Sequence, residues 1–239
     1  MTTTGKNGRL CNQIIRNIAV SLIAEKNDLY VNYCNKELIV DSLGIKLFSG
    51  KKQFDNTIVL TDGNYFDIYN SPELQSNLNP NNDYFQTKAI INLVYNYLQS
   101  LKENIIQKNP FNNRFNNNND LIIHIRLTDV ARFNPGINYY LETIQTITFD
   151  KLYITTDDKS HNIIKQIIAK YPETIIVNFN EVKTIQFAST CKNIILSHGT
   201  FSACIGYLAF SSIVHYPKYD TNNMWHGDIF SINNWIEHS

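Results

Sequence analysis

The chain is expected to fold as α/β with a doubly wound parallel sheet, and three observations carry that expectation. Short apolar runs alternate with amphipathic, helix-periodic segments along the second half of the sequence, the β-α-β rhythm of a parallel sheet. Polar clusters follow three of those apolar runs, where open α/β sheets bind ligands. A single polar tract, Asn109 to Asp120, divides the 239 residues into two halves of α/β appearance. Its run of asparagines buries little apolar surface, so a mobile linker or loop is expected there, between a domain at 1–110 and another at 120–239.

In the first half, Asn12 to Lys26 reads as a helix, because Ile14, Ile15, Ile18, Ala19, Leu22 and Ile23 form one apolar stripe. The glycine-rich turn Gly5-Lys-Asn-Gly8-Arg9 leads into its amino end, where free N–H groups favour anions. Leu29 to Tyr33 and Thr57 to Leu60 read as strands, and Thr87 to Gln107 as one long amphipathic helix. In the second half the expected strands are 121–125, 151–155, 174–177, 194–196 and 213–216. The expected helices lie near 139–146, at 161–171, at 181–188 and after Ser197.

Bulk composition narrows the function classes. The formal charge is zero, from 21 basic and 21 acidic residues, which argues against a non-specific nucleic-acid binder. Four cysteines lie far apart without metal-ligand spacing and read as buried free thiols. The amino terminus lacks the regions of a signal peptide, no apolar run is long enough to span a bilayer, and no Asn-x-Ser/Thr sequon occurs. A cytoplasmic protein with no membrane span is the expectation.

Three clusters carry the chemistry. His124, Arg126 and Asp129 follow the run Leu121 to Ile123. Arginine presents a planar fork suited to phosphate, and an aspartate three residues on can hold that fork; the plain alternative is an ion pair closing a strand. Asp157 and Asp158 could ligate Mg²⁺ or cap the helix at His161. Ser197-His-Gly-Thr200-Phe201-Ser202 opens a helix and could cradle a phosphate or simply cap it. A P-loop hydrolase is a poor fit, since Lys6 stands on the wrong side of its turn.

In their order, Gly8-Arg-Leu-Cys-Asn12-Gln13, His124-x-Arg126-x-x-Asp129, Thr156-Asp157-Asp158 and Thr200-Phe201-Ser202 resemble the α-1,2-fucosyltransferase family. More distantly they are similar to the α-1,6- and protein O-fucosyltransferases. Tyr139-Tyr140, Cys191 to Ile195, Trp225, Asp228 and Trp235 add to the likeness. The resemblance implies a GT-B-like fold of two Rossmann-type lobes with doubly wound parallel sheets. The first lobe would be acceptor-side and the second would bind a nucleotide-sugar.

It also implies an inverting glycosyltransferase moving L-fucose from GDP-fucose to a hydroxyl of an acceptor glycan, without metal or other cofactor. Arg126 would hold the donor diphosphate, and Asp129 would be the candidate base, with Glu142 and Asp62 as further possibilities. Gly8, Asn12, His124, Asp157, Thr200, Phe201 and Ser202 would complete the donor site. Leu127 replaces the family's second arginine, Ala203 and Cys204 replace tryptophans, and only Met1–Thr4 are left for a first strand. A different nucleotide-sugar donor, or a non-catalytic nucleotide-sugar- or glycan-binding module, are the alternative readings.

Overall fold

Strand β5, Leu121–Ile125, is buried at all five positions and is central to the fold. The computed structural model describes residues 1–239. By its internal contacts the chain divides into two compact units, Met1–Lys108 and Asn109–Ser239.

The first unit contains, in order, β1 (Thr2–Thr3), α1 (Leu10–Asn27), β2 (Val31–Asn32), β3 (Thr57–Val59), α2 (Tyr65–Tyr69), β4 (Asn77–Asn79), α3 (Lys88–Ser100) and α4 (Lys102–Lys108). Its strands pair in parallel as two short ladders, β1 with β2 and β3 with β4, and not as one doubly wound sheet. Between β1 and β4 a side chain stands in for the ladder: the Thr2 hydroxyl accepts the Leu78 N–H at 2.9 Å. Strands of two or three residues give too few consecutive backbone pairs to propagate a wide sheet.

Helix α1 is buried on more than its apolar stripe. Gln13, Arg16, Asn17 and Ser21, on its polar side, are buried as well. Arg16 spends its guanidinium on the carbonyls of Thr4, Asn81 and Asp83. The long helix expected over 87–107 is two helices. The Thr87 hydroxyl accepts the Ile90 N–H at the start, and at Leu101 the backbone (φ −97°, ψ 6°) leaves the helical region.

The second unit contains β5, α5 (Ile137–Gln145), β6 (Leu152–Thr156), α6 (Asn162–Lys170), β7 (Ile175–Ile176), α7 (Glu181–Ala188), β8 (Asn193–Ile195), α8 (Thr200–Tyr207), β9 (Ile213–Pro217) and β10 (Ile236–His238). These strands form one six-stranded sheet, parallel throughout, in the order β10-β9-β8-β5-β6-β7. The chain winds outward from β5 through β6 to β7, then returns to the centre and winds the other way through β8 and β9. That is the strand order of a Rossmann fold, with its switch point between β5 and β8.

Alternation along β5 sorts the faces. Leu121, Ile123 and Ile125 join Tyr139, Tyr140, Ile144, Ile164 and Ile167 of α5 and α6 in one core. His124 points to the opposite face, the one that α8 covers, where it meets Ser202.

The segment 109–120 is a packed part of this unit and not a mobile linker. Arg114 forms an ion pair with Asp120 at 2.9 Å and donates to Thr190, while Asn109 and Asn118 donate to the carbonyls of Gln186 and Thr190. The asparagines replace a hydrophobic anchor with hydrogen bonds to backbone carbonyls. None of the four cysteines forms a disulfide; Cys34 alone is not fully buried. No helix is long and apolar enough to cross a membrane.

Candidate anion-binding site at the switch point

Arg126 is the first residue beyond β5, at the carboxyl end of the sheet. Its backbone N–H donates to the Ser197 hydroxyl across the switch point, at 3.2 Å. Its guanidinium is gripped on one side: Nε and Nη2 donate to Asp129 Oδ1 at 3.0 and 2.6 Å, and Nε also lies 3.1 Å from Asp157 Oδ2. Nη1 takes no part in these bonds. The Arg126 side chain is 19% exposed and that of Asp129 49%, so one cation and two anions stand at the rim.

Asp157 neither caps α6 nor stands apart as a metal ligand. It reaches back to the turn after β5, accepting the N–H groups of Leu127 at 2.7 Å and Thr128 at 3.3 Å, and the Thr128 hydroxyl at 2.5 Å. The cap of α6 is His161, whose Nδ1 accepts the Ile163 N–H, while Asp158 closes its own turn on Ser160. No group of three or more His, Cys, Asp or Glu side chains is arranged to hold a metal ion. Leu127 is buried in the α5–α6 core.

On the other side of the switch point, Gly199 (φ +106°, ψ 162°) turns the chain from β8 into α8. No side chain caps that helix and no acidic residue stands in its first turn. The N–H groups of Thr200, Phe201 and Ser202 therefore open the helix toward the crevice with partial positive charge. The Ser202 side chain is fully buried and braces this turn: its hydroxyl accepts the Ser197 N–H at 3.2 Å and bonds His124 Nδ1. Burial, aided by the neighbouring Arg126 charge, lowers the His124 pKa to about 3 and keeps the ring neutral. The Phe201 ring covers it at 5.1 Å.

The structure thus brings His124, Arg126, Asp129, Asp157, Thr200, Phe201 and Ser202 to one end of one sheet. Gly8 and Asn12 belong to the first unit. There Gly8 (φ +78°) packs so closely that an added Cβ would stand 2.6 Å from the Asn12 Cβ, and the Asn12 Oδ1 accepts from Gln86 at 3.0 Å. Asp62 also lies in the first unit; burial and the nearby Asp83 raise its pKa to about 6. Glu142 is exposed on the body of α5, away from the strand ends.

Sequence reasoning did not single out Thr128 or the pairing of Phe133 with Trp225 at 4.7 Å. These contacts join segments far apart in the chain, and no local spacing announces them.

No protein family and no curated protein matches this chain in sequence. Its fold is similar to that of the fucosyltransferase NodZ from Bradyrhizobium, seen in a crystal structure. The TM-score is 0.54 with 8% sequence identity, covering 94% of this chain and 96% of that one. At that identity the likeness establishes the fold.

Proposed function

We propose that the protein is a nucleotide-sugar-dependent glycosyltransferase. Within that class the reading is narrower: an inverting transferase of GT-B type that moves L-fucose from GDP-fucose to a glycan hydroxyl. One observation carries it. An arginine with an uncommitted Nη1 follows β5 at the Rossmann switch point, where its backbone bonds the loop that leads into an uncapped helix start. The fold likeness to a fucosyltransferase and the motif order support the choice of sugar.

In this reading 109–239 is the nucleotide-sugar lobe and 1–108 the acceptor-side lobe, to which Gly8 and Asn12 contribute. Glycosyl transfer breaks the bond between the anomeric carbon and a β-phosphate oxygen, and negative charge grows on that oxygen. Arg126 and the N–H groups of Thr200, Phe201 and Ser202 would meet that charge, which would stabilise the transition state more than the ground state. Asp157 holds the Arg126–Thr128 turn rigid through backbone bonds. Ser202 and neutral His124 brace the first turn of α8 from beneath, so their role is positioning.

Asp129 orients Arg126 in the free protein. In transfer its carboxylate would accept the proton of the attacking hydroxyl.

The test is a thermal-shift panel of GDP-, UDP-, CMP- and dTDP-sugars. A ligand at a hundredfold excess over its Kd stabilises the folded protein by ~2.7 kcal/mol. A response to GDP-fucose and GDP is expected. A response to UDP-sugars in place of GDP-sugars moves the protein to another donor, and no response to any of the four removes the transferase reading.

A further inference from the structure

A cavity of about 350 Å³ lies where β1 and β2 end, bordered by Thr3, Gly5, Lys6, Asn32, Cys34 and Asn35 and by Tyr33. All of these residues belong to the first unit. A space of this size holds a small molecule, and the carboxyl ends of parallel strands are where α/β folds bind one. Lys6 has no part in the function proposed above.

The walls of the cavity are built before any ligand arrives. Register sets Thr3 beside Asn32, both exposed on one face of the ladder, while Thr2 and Val31 are buried on the other. Beyond the strands the two turns are tied together. Buried Thr4 donates its N–H to the Asn32 carbonyl at 3.2 Å, and its hydroxyl accepts the Cys34 N–H at 3.0 Å. Asn17 of α1 donates to the Cys34 carbonyl at 2.7 Å, and the Tyr33 hydroxyl donates to the Phe48 carbonyl. Gly5 (φ +62°) turns the chain, and a Cβ added there would meet nothing within 4 Å, so that side of the cavity is open.

The side chains of Thr3, Lys6, Asn32 and Asn35 are spent on none of these bonds, which leaves their donors and acceptors for a ligand. Lys6 is the one charged residue of the lining, and no carboxylate borders the cavity, so a cationic ligand gains nothing there. Two asparagine amides and a threonine hydroxyl offer donors and acceptors side by side, a pattern complementary to the neighbouring hydroxyls of a saturated ring. A flat nucleobase lacks a stacking face: Tyr33 is the single aromatic residue, and it is buried with its hydroxyl committed. One ammonium matches one carboxylate, whereas the second charge of a phosphate would go unpaired.

We propose that this cavity binds a sugar acid, a saccharide unit whose carboxylate meets Lys6 and whose hydroxyls meet Thr3, Asn32 and Asn35. The site is argued without the switch-point arginine; under the glycosyltransferase reading the ligand would be an acidic unit of the acceptor.

The test is an NMR titration of the full chain with methyl β-D-glucuronoside, methyl β-D-glucoside and inorganic phosphate. The two glycosides differ only in the C6 carboxylate. The wild type should bind the glucuronoside roughly tenfold more tightly than the glucoside, the scale of one charge-assisted hydrogen bond, and more tightly than phosphate. Lys6→Ala should bring the two glycosides to within about threefold of each other. Asn32→Phe, which fills the cavity, should abolish binding of both. Both positions are exposed, so both variants should fold, and a thermal shift with GDP reports the switch-point site separately. Equal affinity for the two glycosides in the wild type, tighter binding of phosphate, a glucuronoside preference that survives Lys6→Ala, or no saturable binding at all overturns the sugar-acid site. Absence of any response to GDP overturns the glycosyltransferase reading and leaves a positive glucuronoside result standing.

Discussion

Replacing Arg126 by alanine should separate catalysis from folding. The guanidinium is 19% exposed and its partner Asp129 is 49% exposed, so the pair stands at the rim, where solvent screens it. Asp157 keeps its bonds from Leu127, Thr128 N–H and the Thr128 hydroxyl. Rim ion pairs of this kind contribute ~0.2–1 kcal/mol, so stability should fall by about that much and the melting point by a few degrees at most. The loss at the transition state is much larger. One donor aimed at a developing oxyanion is worth ~10²–10³ in rate, or roughly 3–4 kcal/mol. Arg126→Lys keeps the charge but loses the planar fork, and should fall between wild type and alanine. GDP release from GDP-L-fucose, with water and with a panel of glycan acceptors, gives the rate; urea unfolding gives the stability. A rate within about tenfold of wild type, or an unfolded Arg126→Ala protein, would refute the placement of this group at the leaving phosphate.

Asp157→Ala should do the opposite, acting mainly on stability. It strips acceptors from the N–H groups of Leu127 and Thr128, at a cost of ~1–3 kcal/mol visible in the urea midpoint; an unchanged midpoint would mean that water replaces the carboxylate. Gly199→Ala puts a side chain at φ +106° and 3.2 Å from Trp225, and should destabilise by ~1–3 kcal/mol in the same assay. Acid should weaken the second unit. His124 and His198 both titrate near 3 because burial disfavours the charged ring, well below the unfolded value of 6.5. The unfolded chain therefore binds more protons between those limits. Stability is intact above 6.5 and falls as pH drops, by up to roughly 1.4 kcal/mol per pH unit for each ring. Urea midpoints that do not change between pH 7 and pH 5 would contradict this.

Much of the second unit was legible because its signals are local. Five buried residues in β5, the alternation that sends His124 away from Ile123 and Ile125, and the polar residues just beyond each strand depend only on near neighbours in the chain. The first unit was less legible. Strands of two or three residues carry no period to read, and the polar face of α1 is buried by loops that its own sequence does not mention. The break at Leu101 and the packing of 109–120 likewise depend on what those segments meet.

At the site, the sequence by itself determined which chemical groups are present: one arginine, the nearby aspartates, a histidine and a Gly-Thr-Phe-Ser helix start. Only the tertiary structure decided what each does. Asp157 serves the backbone of the β5 turn and not the helix that follows it; Ser202 braces a histidine; Trp225 arrives from near the carboxyl terminus to stand over Gly199. The reason is physical. A strand order that returns to its centre sets β5 beside β8, so residues some seventy positions apart share one crevice, and hydrogen-bond geometry there, not spacing along the chain, chooses the partners.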